Sequence, residues 1–322
     1  MALLSSGERS RLDDAARAGW LYYVAGNTQD EIARKLNVSR PTAQRLVSLA
    51  LSERLISFRL DHPIAACMEL ARTLGEIYGL AYCDVVPSDP DTPDAVNGVG
   101  KAAAAFLEQT LRLADPQIIA LGTGRTLRAA VDEVLRIECP HHQLVSLVGN
   151  ISPSGEAGFF DVLNKLAELT QARHYPMPLP VVASTPEERE LLMNLDPVVR
   201  VRALADRADL TLSGIGQVDV HAQMYRDGFI TREDRDELMA CGAVGEIAGW
   251  VFDGEGRLLE ASTNLRVTSV RPVVPPRGRS VGVAAGPGKV GPVHAALKGK
   301  LVNGLITDER TAAALIALAN KG

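Results

Sequence analysis

No stretch of this 322-residue chain reaches the roughly 18 uninterrupted apolar residues that a membrane span requires. Nor does the N-terminus, MALLSSGERS, carry the basic region and long apolar core of a secretory signal. Both absences lead to the expectation of a cytoplasmic protein with no membrane partner. Cysteine is sparse: Cys67, Cys83, Cys139 and Cys241 are scattered, without a CxxC pair or metal-finger spacing. Four cysteines could form two disulfides, but in a reducing compartment they read as small buried apolar residues. Histidine is equally unorganised. His141-His142 is the one cluster among six, lacks an HExxH partner, and reads as a surface pair at a loop end. No metal and no cofactor are therefore expected.

What the chain does have is apolar residues at 46% and charged residues at 23%, which excludes wholesale disorder. The length suggests two domains and a core that needs no staples. Net charge is −5, which taken alone argues against nucleic acid. Its distribution reverses that argument. Residues 1–60 carry nine Lys/Arg and six acids, a balance of +3, while the remainder holds 25 basic and 33 acidic residues, a balance of −8. A basic module on an acidic body matches a small electrostatic footprint for a phosphate backbone.

Within that module, residues 13–51 read as three short helices. The first, over 13–24, places Ala16, Trp20, Leu21 and Val24 at buried spacing and stops at Gly26-Asn27. Thr28 and Glu31 form a capping box for the second. Asn37-Val38 turns the chain, and Ser39 caps a third helix with Pro41 in its first turn. This is helix-turn-helix patterning. Ile32, Ala33, Leu36, Val38, Ala43 and Leu46 supply the interior, and Ser39, Arg40, Thr42, Gln44 and Arg45 are left outward. Arg and Gln can pair with guanine and adenine edges, and the hydroxyls with phosphate. The bland alternative is an αα-hairpin with a solvated basic face; the coincidence of turn, caps and basic face favours DNA. Leu51–Leu60 reads as a tail helix running into a short strand. The domain boundary falls near 60, with a connector helix over 61–80 whose Cys67, Leu70, Leu74 and Ile77 could form a dimer seam or pack on the body.

Residues 81–322 alternate apolar strands with helices. Strands are expected at 82–86, 118–121, 144–148, 210–215, 281–284 and 301–306, giving an α/β domain with a mainly parallel sheet. Ligands of such sheets sit beyond the carboxyl ends of the strands. Four polar, glycine-bearing loops occur there: Gly122-Thr123-Gly124-Arg125-Thr126, Ser146–Asn150 with Gly149, Ser213-Gly214-Ile215-Gly216-Gln217, and Ala284-Ala285-Gly286-Pro287-Gly288-Lys289. The first matches neither a Walker loop nor GxGxxG, and taken singly each is as consistent with a tight turn. Converging, they would make a phosphate-tolerant pocket. Glu246 and Asp253 could accept sugar hydroxyls or serve as turn carboxylates, and Thr307 or Asp308 reads as the N-cap of the last helix.

With these residues in hand, the chain resembles the SorC family of sugar-responsive bacterial transcription regulators from Trp20 to its end. The likeness is carried by QDEIARKLNVSRPTAQRL (29–46), LGTGRTL (121–127), LSGIGQVD (212–219), GAVGEIAGWVFDGEG (242–256) and VAAGPGKVGPVHAALKGKLVNGLITDERTA (283–312). The resemblance implies an N-terminal helix-turn-helix and a C-terminal effector domain similar to ribose-phosphate isomerase and glucosamine-phosphate deaminase. It also implies a homodimer or homotetramer whose affinity for operator DNA depends on a sugar, polyol or sugar phosphate. Carried over by position, Gly122, Thr123, Gly124, Arg125 and Thr126 would form the phosphate or hydroxyl loop. Gly149, Asn150, Gly214, Gly216, Glu246, Asp253 and Lys289 would complete the effector pocket. The chain departs from the family at Asn150, where a second glycine is frequent, at Glu246, where aspartate is usual, and at Pro41. The competing reading is an isomerase or deaminase-like enzyme, with Glu246 as base and Lys289 as the cation. A third is an architectural DNA binder indifferent to small molecules.

Overall fold

The structure, a computed structural model, describes residues 6–53, 55–56, 64–88, 96–151 and 162–321. The chain divides into two compact units, Met1–Pro63 and Ile64–Gly322. The first holds α1 (Ser6–Tyr23), α2 (Gln29–Leu36) and α3 (Arg40–Ser52). Its core contains Ala18, Ile32, Ala33, Ala43 and Val47. The buried face of α1 differs from the one expected. Ala15 and Ala18 are buried, whereas Trp20 is 54% exposed and Val24 is 65% exposed. The reason is close packing on α3: a Cβ on Gly19 would stand 2.7 Å from that of Ala50, so the small side of α1 must face inward. The expected strand near residue 60 lies outside the described residues.

The second unit runs α4 (Ala65–Tyr78), β1 (Tyr82–Val86), α5 (Val96–Leu111), β2 (Ile118–Leu121), α6 (Arg125–Glu133), β3 (Gln143–Ile151), α7 (Leu163–Thr170) and β4 (Arg173–Pro180). It continues with α8 (Pro186–Met193), α9 (Asp196–Ala205), β5 (Leu210–Gly214), β6 (Gly216–Gln217), α10 (Gln223–Arg226), α11 (Arg232–Ala240), β7 (Gly245–Ile247) and β8 (Trp250–Phe252). It closes with α12 (Ser262–Arg266), β9 (Arg279–Val283), a single 3-10 turn, α13 (Val290–Lys298), β10 (Gly304–Asp308) and α14 (Glu309–Ala319).

Among the described residues, seven strands form one parallel sheet in the order β1-β10-β9-β5-β2-β3-β4, and β6-β7-β8 form a small antiparallel sheet. Alternation sets the layers. Ile119, Leu121, Leu144, Leu210, Leu212, Val281 and Val283 bury one face under residues of α5, α6 and α7. Ala120, Val145 and Leu147 bury the other with residues of α9, and Leu305 does so with residues of α4, α13 and α14. α4 is therefore part of this unit: Cys67 and Leu74 pack in its core. Two strand groups were not expected. β4 carries Pro176, Pro178 and Pro180 at alternate positions, which puts all the missing N–H groups on one side and suits an edge strand. The strands β6 to β8 are only two or three residues long, too short for periodicity to register.

The cysteines are free, and Cys241 is exposed rather than buried. Of the histidine pair, only His141 lies on the surface. His142 is wholly buried; its Nδ1 accepts from the Gln117 N–H at 3.0 Å, and its Nε2 lies 3.2 Å from the Leu111 carbonyl.

Candidate DNA-facing helix and effector site

In the first unit, Thr28 caps α2 through the expected reciprocal box: the Glu31 N–H donates to Thr28 Oγ1 at 3.3 Å, and the Thr28 N–H donates to Glu31 at 2.8 Å. That backbone donor holds the Glu31 carboxyl below its usual pKa. Asn37 ends α2 in the left-handed region, at φ 53°. Ser39 then caps α3, accepting from the Thr42 N–H, and its hydroxyl sits 2.8 Å from that of Thr42. These two hydroxyls therefore serve the helix start. Arg40 pairs with Asp30 at 3.4 Å, both side chains well exposed. Gln44 and Arg45 are exposed and their side chains make no hydrogen bond within the described residues, which leaves those donors free for an external partner. Pro41 occupies the first helical turn, where a missing N–H costs nothing.

In the second unit, the loops at the carboxyl ends of β2, β5 and β9 converge. The Gly122 N–H donates to Leu212 at 2.9 Å, and a Cβ on Gly214 would lie 3.7 Å from the Thr123 carbonyl. Gly124, at φ 117°, starts α6, so Arg125 and Thr126 stand in its first turn. Gly216 pairs with Glu246 across β6 and β7, and a Cβ there would fall 1.9 Å from Glu246 Oε1. Glu246 Oε2 accepts from the Gly249 N–H at 2.8 Å. Beyond β9, the Gly286 N–H donates to Thr311 at 2.9 Å, and Asp308 caps α14 as expected. Ser88, after β1, ties this rim together by donating to Asp308 at 2.7 Å.

Electrostatics mark the centre of this cluster. Burial lowers the Lys289 pKa; Glu246 and Asp219 oppose that shift, and nearby Arg125 adds to it. Burial raises the Glu246 pKa against the Gly249 N–H and Lys289. By accessible area Glu246 is only half-buried, yet protein packs closely round its carboxylate, and the direction of its shift follows from that crowding. Neither Lys289 nor Arg125 has a carboxylate within 4.0 Å among the described residues. Lys289, with Arg125 nearby, lies in the field of Glu246 and Asp219 beside glycine-lined backbone, an arrangement that can hold a phosphate or a set of hydroxyls.

Gly122 to Thr126, Gly214, Gly216, Glu246 and Lys289 thus come together. Asp253 does not join them: its Oδ1 accepts from the N–H groups of Glu255 and Arg257, both at 2.9 Å, and closes its own turn. Gly149 has a packing reason instead, since a Cβ would meet the Leu179 carbonyl at 2.3 Å where β3 and β4 shift register. The Asn150 side chain lies outside the described residues. One residue was not assigned to the site from the sequence, although it stands in the segment 212–219. Asp219 reaches the field of Lys289, and its Oδ2 accepts from the Gln217 amide at 3.1 Å. Asp219 lies three residues after Gly216, and its carboxylate is brought to Lys289 only by the fold. Among the described residues, no three His, Cys, Asp or Glu side chains are grouped to hold a metal, and no helix is long and apolar enough to cross a membrane.

Comparison with known proteins places the chain in a family. Residues 62–317 match the family described as "Putative sugar-binding domain". The erythritol catabolism regulatory protein EryD of Brucella abortus is 36% identical over 306 residues, covering 95% of this chain and 97% of its own. The deoxyribonucleoside regulator of Bacillus subtilis is 29% identical, covering 96% and 99%. The full-length sorbitol operon regulator SorC from Klebsiella pneumoniae superposes with a TM-score of 0.70 over 95% of this chain and 99% of that one, at 23% identity. The chain belongs to the SorC family of sugar-binding transcriptional regulators.

Proposed function

We propose that this protein governs a carbohydrate or polyol catabolic operon by binding operator DNA through α3 and a small carbohydrate effector through the loops around Lys289. The observation that carries the effector half is Lys289, which has no carboxylate within 4.0 Å among the described residues yet lies in the fields of Glu246, Asp219 and Arg125. Cations suit a phosphate; carboxylates suit hydroxyls; the set together suits a polyol or sugar with or without one phosphate ester. Arg40, Gln44 and Arg45, with Ser39 and Thr42 at the helix start, would meet the operator. The protein would act as a homodimer or homotetramer, since helix-turn-helix modules read paired half-sites. Control would be linkage: an effector preferring one arrangement changes DNA affinity by its preference between arrangements.

Thermal unfolding against matched free and phosphorylated sugars and polyols tests this reading. Because one relative is named for erythritol catabolism, erythritol and its phosphates head the series. A ligand at a hundredfold its Kd adds about 2.7 kcal/mol, or several degrees in Tm. The expected result is a shift with at least one compound, lost in Lys289→Gln. No shift across the series would remove the carbohydrate half of the proposal. Glu246 beside Lys289 is also what an isomerase would use as base and cation; turnover of ribose 5-phosphate or glucosamine 6-phosphate, abolished in Glu246→Gln, would favour that reading.

A further inference from the structure

The two central strands β5 and β9 carry large apolar residues on one face only. Leu210, Leu212, Val281 and Val283 fill the core beneath α5 and α6, while the opposite face presents Thr211, Ser213, Ser280 and Gly282. On that second face, Ala120, Val145 and Leu147 on one side and Leu305 on the other belong to apolar clusters. The small polar residues therefore leave a hollow where a parallel sheet is ordinarily covered by large apolar side chains.

The hollow is a cavity of about 80 Å³ with Thr211, Ser213 and Ser280 among its lining, walled by Leu147, Ile247 and Val270. It is far larger than a single water requires. Ser213 is 1% exposed and its hydroxyl has no hydrogen-bond partner, a cost that a native interior rarely leaves unmet. Thr211 and Ser280 likewise make no side-chain hydrogen bond within the described residues.

Charge identifies the occupant. Arg271, Arg277 and Arg279 line the cavity against one carboxylate, Asp206. The Arg271 guanidinium carbon lies 5.4 Å from the Trp250 ring centre, and that of Arg189 lies 5.8 Å from the same ring. None of Arg271, Arg277 and Arg279 has a carboxylate within 4.0 Å among the described residues. Uncompensated guanidinium charge beside a hydroxyl-lined hollow calls for an anion that also offers hydroxyls.

We propose that this cavity is a second ligand site, distinct from the effector loops, for a compact hydroxylated anion of three or four carbons. The anionic group, carboxylate or phosphate, would face Arg271, and its hydroxyls would satisfy Ser213, Thr211 and Ser280. The site has a route to the effector loops. The turn after Ile247 places Ala248 at φ 52° and Gly249 at φ 81°; its Gly249 N–H holds Glu246, while Ile247 and Ala248 line the cavity. Filling the cavity would thereby act on the turn that positions Glu246.

The test is isothermal titration of the intact protein with D-glycerate, glycerol 3-phosphate and neutral glycerol at millimolar concentrations. At least one of the two anions is expected to bind and glycerol is not; which anion binds tells carboxylate from phosphate. Binding should persist in Lys289→Gln and weaken at least tenfold in Ser280→Val, which fills the hollow, and in Arg271→Gln, an exposed change that leaves the core intact. Thermal unfolding of both variants verifies that they fold. The proposal fails if neither anion binds the wild type. It fails equally if binding disappears in Lys289→Gln while surviving in Ser280→Val and Arg271→Gln, since the effector loops would then be the whole site.

Discussion

Gly216 shows how a single hydrogen in place of a methyl can set a site. Its missing side chain is the space in which the Glu246 carboxylate lies. Gly216→Ala should push that carboxylate off the Gly249 N–H and away from Lys289. Overpacking of this kind costs about 1–3 kcal/mol. Effector affinity, measured by calorimetry, is expected to fall about tenfold or more, each tenfold corresponding to ~1.4 kcal/mol. His142 offers a pH-dependent counterpart. Its Nδ1 accepts a backbone N–H, so the ring must be neutral on that nitrogen, and burial lowers its pKa from the ordinary 6.5. The unfolded chain therefore takes up the proton first. The contribution of His142 is intact above pH 6.5 and is lost as pH falls through the lower folded value. Urea unfolding between pH 7.5 and pH 5 should show stability declining, and His142→Gln should flatten that decline. Neither the pocketed carboxylate nor the buried imidazole is visible in the spacing of the sequence, because both depend on residues brought in from elsewhere.

At the scale of elements, the helix-turn-helix was legible almost residue by residue. Caps and turns act over three or four positions, so Thr28, Glu31, Asn37 and Ser39 announce α2 and α3 without help from the rest of the chain. The face that α1 buries was not legible, since Ala50 and Ile56, far along the chain, decide that Gly19 rather than Trp20 turns inward. The outward face of α3 yields a direct expectation. Arg45→Ala should lower operator affinity by about 1–3 kcal/mol, as loss of a bidentate guanine contact does, while binding to random DNA hardly changes. Competitive gel shifts with both DNAs measure the ratio; an equal loss on both would make Arg45 a phosphate contact. The strands reveal the same division. Those that are apolar and central were read to within a few residues, whereas the proline-bearing β4 broke the pattern by which strands are recognised.

For the whole molecule, the segregation of charge is the governing feature. A module of +3 on a body of −8 concentrates attraction for DNA in the first unit. Operator binding should weaken steeply with salt, its logarithm falling linearly with that of salt concentration by about 0.9 per phosphate neutralised. Fluorescence anisotropy at several ionic strengths gives that slope, and Arg40→Ala should reduce it by up to about one. Much at this scale was set by sequence alone: the two-unit division near residue 60, the parallel α/β body and three of the four glycine-bearing turns follow from local composition and periodicity, while Gly149-Asn150 lies within β3. Tertiary structure alone decided which turns meet. It set β1 beside β10, more than two hundred residues apart, brought Asp219 to Lys289, and sent Asp253 to its own turn and Gly149 to a strand crossing. The physical reason is range: backbone propensities and caps are settled among near neighbours, whereas burial, charge compensation and close approach exist only once distant segments share a surface.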